Sequence, residues 1–301
     1  MRFYAGSYTR MGGPGIAVCH WDGSTLSQVG TYRDLEDTIY IIISKDRRTL
    51  YAVGSFAGTG EGAVVSYRMS GDRLELLSCR KTGGRATCHL TESPDGRYLY
   101  VSNYLSGSVS VLPIQNGELN EPVQLVEHTG QGPIAARQEA AHPHQCVFRP
   151  GMNELFVCDL GTDRVVIYQQ NPETGILTRQ RELVMPDGMG PRHLVFSDSN
   201  HFYVTGELDN IVRLIAWKND WHIIGEISTL PEKCENTSAA IRLHDGALWV
   251  SNRGHDSLCR ITLDEHGGMN GASWIMTGGQ CPRDFTFVPG GLLRTRMPVG
   301  L

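Results

Sequence analysis

The chain has no C-x-x-C pair among its 8 cysteines, which stand at positions 19, 79, 88, 146, 158, 234, 259 and 281. Zinc sites built on closely spaced thiols are therefore not expected, and several of these cysteines lie inside apolar runs, where a reduced thiol acts as a small hydrophobe. No apolar run approaches the roughly 18 residues of a membrane span, and the opening MRFYAGSYTR has no charged-then-apolar leader pattern. The expectation is a cytoplasmic protein with free thiols and no membrane partner. Basic residues number 27 against 32 acidic ones, net −5, with no basic tract. A nucleic-acid partner is not expected, because a phosphate backbone needs a concentrated cationic footprint. G-x-S-x-G, H-E-x-x-H and G-x-x-x-x-G-K-[ST] are all missing. Covalent serine catalysis, zinc-peptidase chemistry and a nucleotide-phosphate loop thus have no sequence support. A helical 3.6-residue apolar periodicity of useful length is also lacking.

Tight turns and a repeat are what the chain does have. Glycine occurs 35 times in 301 residues, well above the usual level of about 7%. A run of the type Leu-Tyr-Val-x-Asn begins at Phe3, Leu50, Leu99, Leu155, Phe202 and Leu248, at intervals of 47, 49, 56, 47 and 46 residues. A fixed period of this length marks stacked units that share one core, so residues 1–301 read as a single domain. Repeats fall near 3–46, 47–95, 96–150, 151–198, 199–245 and 246–290, with an atypical tail at 291–301.

The third repeat shows the unit most clearly. CHLTESP (88–94) leads to a Pro94-Asp95-Gly96 turn, then RYLYVSN (97–103), then SVSVLPI (108–114), an Asn116-Gly117 hairpin signal, and PVQLVEH (122–128). Four short strands per 46–56 residues predict an all-β propeller of four-stranded blades. With the strands of a blade lettered A to D, A segments start near Ile39, Cys88, His144, Arg192, Ser238 and Arg283, and the six runs are B. The chain thus opens on B and closes on A, which permits a closed disc of six blades. The stretch after Phe287 begins like a further blade and then loses the pattern.

The repeat also serves as a ruler. One phase holds Ile39, Cys88, His144, Arg192, Ser238 and Arg283, and the next holds Tyr40, His89, Gln145, His193, Ala239 and Asp284. At the far end of strand B another phase holds Tyr8, Ser55, Tyr104, Leu160, Glu207 and Arg253. A packing position would be apolar in most repeats. These instead collect histidine, arginine and glutamate, and equivalent phases surround the propeller axis, so the side chains are expected to converge at one mouth of the channel.

At these positions the chain resembles the lactonase family of seven-bladed β-propellers, which includes the propeller-type 6-phosphogluconolactonases and is related to carboxymuconate lactonising enzymes. The phrases that carry the resemblance are CHLTESPDGRYLYVSNYLSGSVSVLPI, HPHQCVFRP, GPRHLVFS, GELDN, SNRGHDS and CPRDF, in the family's order, up to about Phe287. Two departures stand out: Gly206 replaces the usual asparagine before the glutamate, and the last blade looks truncated, with six repeats visible.

The resemblance implies hydrolysis of a sugar-acid lactone, foremost 6-phosphogluconolactone, at a site of His144, Arg192, Glu207 and Arg253. The alternatives are a carboxymuconate-type lactonising or lactone-opening reaction, or a propeller that only binds other proteins. Lactone hydrolysis needs activated water and donors for the developing oxyanion. His144 or Glu207 is the expected base, and Arg192 and Arg253 suit the oxyanion or a carboxylate. His193, Arg283, His89, Asn103 and His255 are expected substrate contacts, Arg283 and His193 at the anionic end. His142 and His144 have H-x-H spacing, but no sequence cluster supplies further ligands, so neither a metal nor another cofactor is expected. The expected partner is a small anionic lactone, and the expected state is a monomer or weak homo-oligomer.

Overall fold

The structure, a computed structural model, describes residues 1–288 and 291–295, the latter as backbone alone. Apart from a 3-10 turn at Thr9–Met11, every regular element there is an antiparallel strand, arranged as seven sheets in a ring. The first sheet holds β1 (Arg2–Gly6), β2 (Ile16–Trp21) and β3 (Leu26–Tyr32). The second holds β4 (Glu36–Ile43), β5 (Thr49–Ser55), β6 (Glu61–Ser70) and β7 (Arg73–Arg85). The third has β8 (Thr87–Glu92), β9 (Tyr98–Asn103), β10 (Ser108–Gln115), the short β11 (Glu118–Leu119) and β12 (Gln124–Glu127). The fourth has β13 (Pro143–Phe148), β14 (Glu154–Asp159), β15 (Arg164–Gln170) and β16 (Leu177–Val184). The fifth is β17 (Pro191–Phe196), β18 (His201–Gly206), β19 (Ile211–Trp217) and β20 (Trp221–Ser228). The sixth is β21 (Thr237–His244), β22 (Ala247–Arg253), β23 (Ser257–Leu263) and β24 (Met269–Met276). The seventh holds β25 (Asp284–Val288) and β26 (Gly291–Thr295).

The six repeated runs are β1, β5, β9, β14, β18 and β22, and the expected A segments correspond to β4, β8, β13, β17, β21 and β25. The ring is thus of the seven-bladed type with a shortened last blade. The stretch after Phe287 begins like a further blade, and within the atypical tail Gly291–Thr295 pairs with β25 from Asp284↔Thr295 to Val288↔Gly291. Residues 296–301 lie outside the described residues.

The second strand of each complete blade is the most buried element because its two faces pack on neighbouring sheets. Leu50, Tyr51, Ala52 and Val53 are all at most 1% exposed, and Leu155 to Cys158 are fully buried. Such a strand must be apolar on both faces, and that is why the repeat shows as a continuous run rather than an alternation. Each large apolar side chain buried there stabilises by roughly 1.5–3 kcal/mol. Phe156 and Cys158 of the fourth sheet pack with Phe202, Val204 and Trp221 of the fifth, so the core runs between blades. The predicted Asn116-Gly117 turn closes β10 onto β11 with φ of 53° and 86°, the positive values that a two-residue turn of this hand requires.

Candidate active site

The first feature of the site is a register break. Along β8 the pairing jumps from Thr87↔Asn103 to His89↔Ser102, along β13 from Pro143↔Asp159 to Gln145↔Cys158, and along β17 from Pro191↔Gly206 to His193↔Thr205. Cys88, His144 and Arg192 are each the extra residue of a β-bulge. A bulge leaves one residue out of the ladder and re-aims its side chain. This explains why the same phase is polar in successive repeats: those side chains leave the inter-sheet packing, Cys88 and His144 reaching the wall of the cavity at the mouth and Arg192 lying behind that wall against Glu207.

The second feature is the turn after each second strand. Glu207 follows β18, with its N–H donating to the Gly190 carbonyl at 2.8 Å, and Leu208 donates to Met189 at 3.1 Å. Gly206 makes this approach possible. A Cβ there would lie 2.0 Å from Asp209 Oδ1 and 2.7 Å from Met189 Cγ. Only the missing side chain lets the 189–190 backbone lie against the turn, so the departure at Gly206 is part of how Glu207 is placed.

Glu207 sits in a cage of three guanidiniums. Its Oε2 is 2.7 Å from Arg253 Nη2 and 2.9 Å from Arg192 Nε, and its Oε1 accepts from Arg137 Nη2. The Arg192 contact is an ion pair with poor hydrogen-bond alignment, and Arg192 Nη1 is buried with no protein partner among the described residues. Arg253 is braced by the carbonyls of Thr237 and Ser238. Arg137 was not among the residues expected from the sequence. It lies between β12 and β13, in the insertion that stretches one interval to 56, outside any repeat phase. The long interval was the signal that could have drawn attention to it.

These charges set the protonation states. Burial alone would raise the Glu207 carboxyl, but Arg253, Arg192 and Arg137 outweigh it and hold the group at about 2. Burial pulls Arg192 down to about 9, helped by Arg283 and Arg253. His144 is held well below the usual imidazole value by burial and then by Arg192 and Arg283. At neutral pH the site therefore combines an ionised glutamate, a neutral imidazole and several guanidiniums.

The mouth is a cavity of about 520 Å³ lined by His144, Glu207, Arg137, Arg253, Arg283, Tyr104 and Cys88, with Tyr8, Arg10, Glu36, Asp37 and Arg85 at the first two sheets and beside them. Its lining carries five arginines against three carboxylates, in a chain of net charge −5. Arg283 makes no ion pair among the described residues. Its guanidinium lies 5.8 Å from the centre of the Tyr8 ring, and Arg10 lies 4.5 Å from the same ring.

The other expected residues lie elsewhere. His89 and His193 do not line the cavity. They lie behind it with their rings edge to face, centres 5.1 Å apart between His144 and His193 and 5.6 Å between His193 and His89, and the Tyr40 ring lies 4.1 Å from His89. Burial, then Arg192, holds His89 at about 3, and His193 is depressed by the same causes. Asn103 is fully buried and donates to Ser108 and Ser110, while His255 bonds Ser257 at 2.7 Å. Both brace strand ends. His142 stacks on Tyr104 at 4.3 Å and its ring bonds the Tyr104 carbonyl, so it steadies a wall of the cavity. Among the described residues no three His, Cys, Asp or Glu side chains form a metal-holding group.

Comparison with known proteins gives a consistent result. The sequence family described as lactonase, 7-bladed β-propeller matches residues 2–293. A protein of Bacillus subtilis (strain 168) named 6-phosphogluconolactonase is 31% identical over 300 residues, covering 95% of this chain and 84% of the relative. The solved structure of a periplasmic gluconolactonase from Pseudomonas aeruginosa superposes with a TM-score of 0.88 at 31% identity, covering 97% of this chain and 88% of that one. A solved protein from Lactobacillus plantarum gives 0.88 at 29% identity, covering 96% and 86%.

Proposed function

Because the chain belongs to the lactonase family of seven-bladed β-propellers and is a lactone-hydrolysing enzyme, we propose that its substrate is an anionic sugar-acid lactone, foremost 6-phosphogluconolactone, and that its product is 6-phosphogluconate. The observation that carries this reading is the excess of arginine in the cavity of an acidic protein. Arg283, without a carboxylate partner among the described residues, is suited to a phosphate. The Bacillus subtilis relative is named for the phosphorylated lactone and the Pseudomonas aeruginosa structure for gluconolactone, so the phosphate is the point to be tested. The reading takes the enzyme to be cytoplasmic, acting as a monomer or weak homo-oligomer. The free cysteines support a reducing compartment.

In this reading His144, not Glu207, is the base. A carboxylate caged by three guanidiniums, at about 2, has little affinity for a proton. His144 lines the cavity as a neutral imidazole and can accept one. Water adds its hydroxyl to the lactone carbonyl carbon while its proton passes to His144. Arg253, at the cavity wall, donates to the oxyanion, and Arg192 beneath it adds positive potential. Collapse of the tetrahedral intermediate breaks the ring C–O bond, and the imidazolium returns its proton to the leaving oxygen. An anionic substrate supports this step, because its charge offsets Arg253 and Arg283 and raises the proton affinity of His144. Glu207 keeps the guanidiniums in place.

The test is hydrolysis of 6-phosphogluconolactone and of unphosphorylated gluconolactone by the same preparation. A preference for the phosphorylated lactone in kcat/KM is the expected result. Equal values would remove the phosphate from the reading, and no hydrolysis of either would remove the sugar-acid lactone.

A further inference from the structure

Of the three guanidiniums around Glu207, only one is free to leave. The Arg192 side chain is 1% exposed and that of Arg253 12%, whereas that of Arg137 is 38% exposed against 3% for its carboxylate partner. Arg137 also comes from a different kind of element: a segment between β12 and β13 with no strand of its own, outside the blade pattern.

The backbone of that segment is firmly held. Gln138, fully buried, donates from Nε2 to the Leu160 carbonyl at 2.9 Å and to Asp163 Oδ1 at 2.8 Å, while its Oε1 accepts from Ile134 N–H. Asp163 Oδ1 also accepts from Gly190 N–H at 2.7 Å, and the Gly190 carbonyl accepts from Glu207 N–H at 2.8 Å. A short chain of hydrogen bonds therefore fixes the Arg137 backbone in the same frame as Glu207. What can move is the guanidinium, which pairs with the Glu207 carboxylate at the wall of the cavity that Tyr104 also lines.

We propose that Arg137 is a specificity-determining residue, a displaceable counter-ion that leaves Glu207 for the phosphate of the bound lactone. Glu207 remains neutralised by Arg192 and Arg253 when Arg137 departs, so the exchange strands no buried charge. An unphosphorylated lactone gives the guanidinium no reason to move and forgoes the contact. The proposal rests on the phosphorylated-lactone reading, and its test separates the two.

Wild type, Arg137→Ala and Arg137→Lys are compared on both lactones, and inorganic phosphate is titrated against each protein with melting temperature as the readout. Arg137→Ala should lower the ratio of kcat/KM for phosphorylated over unphosphorylated lactone about 10- to 100-fold, the effect of a lost charge-assisted bond. Arg137→Lys, a point charge without the fork, should recover part of it. Phosphate should raise the melting temperature of wild type more than that of Arg137→Ala. An unchanged ratio, with both substrates slowed equally, overturns the proposal and leaves the lactonase reading standing. If wild type hydrolyses neither lactone, the substrate reading fails and the phosphate titration alone decides: equal shifts in wild type and Arg137→Ala overturn the proposal.

Discussion

Arg192 Nε lies 2.9 Å from Oε2 of Glu207, and both side chains are almost wholly withdrawn from solvent. The first comes from a bulge in the inner strand of the fifth sheet, the second from the turn after the next strand. An ion pair in such a place is weak evidence of stability, since desolvation offsets most of its attraction. Its strategic position beneath the cavity makes it a determinant of the charge on every neighbouring group.

Arg192→Ala should therefore lower kcat/KM about 100-fold, the order found when one charged or hydrogen-bonding stabiliser is removed from an oxyanion site. Circular dichroism and a melting curve establish that the fold survives. Wild-type turnover by a folded variant would remove Arg192 from the chemistry.

The pH profile tests the choice of base. His144 is held well below 6.5, so log kcat/KM should be flat at neutral pH and fall only in acid, as the imidazole takes up a proton. Glu207, at about 2, contributes no limb near neutrality. His144→Asn should lose turnover throughout. An acid limb centred above pH 6.5 in the wild type would contradict the assignment.

Folding stability should fall with acid earlier than carboxylate titration alone explains. His89 at about 3, with His144 and His193 likewise depressed, stays neutral in the fold but protonates near pH 6.5 in the unfolded chain. Between those values the unfolded state binds more protons, so stability rises with pH and is lost as pH falls below 6.5. One such group gives a limiting slope of about 1.4 kcal/mol per pH unit. Glu207, depressed instead from 4.5, adds a loss only as pH drops from there towards 2. Denaturant melts from pH 7 to 4 check the first component, and His89→Asn should flatten it.

Gly206→Ala is a small change in a place without room. The added methyl would meet Asp209 Oδ1 and Met189, so the 189–190 backbone or the Glu207 turn must shift. The expected cost is about 1–3 kcal/mol of stability, with a fall in kcat/KM because Glu207 moves against its arginines. A variant of wild-type stability and activity would show that the turn tolerates a side chain.

The repeat was legible in the sequence because a strand buried on both faces has to be apolar along its whole length, and β5, β9, β14, β18 and β22 are built that way. The same ruler reached His144, Arg192, Glu207 and Arg253 because ring symmetry carries equal phases to one mouth. Phase cannot tell depth. Arg192 shares a phase with the cavity residues Cys88, His144 and Arg283 but lies behind the cavity wall; the next phase leaves His89 and His193 outside the lining, and Asn103 and His255 bond serines next to their strands. Nor can a period register what interrupts it. Arg137 reaches Glu207 only because a non-repeating segment folds back through Gln138 and Asp163, a relation between residues 70 apart that no local pattern records. Local burial demands wrote the blades into the sequence; the charge balance at the mouth depended on which distant side chains the closed packing brought together.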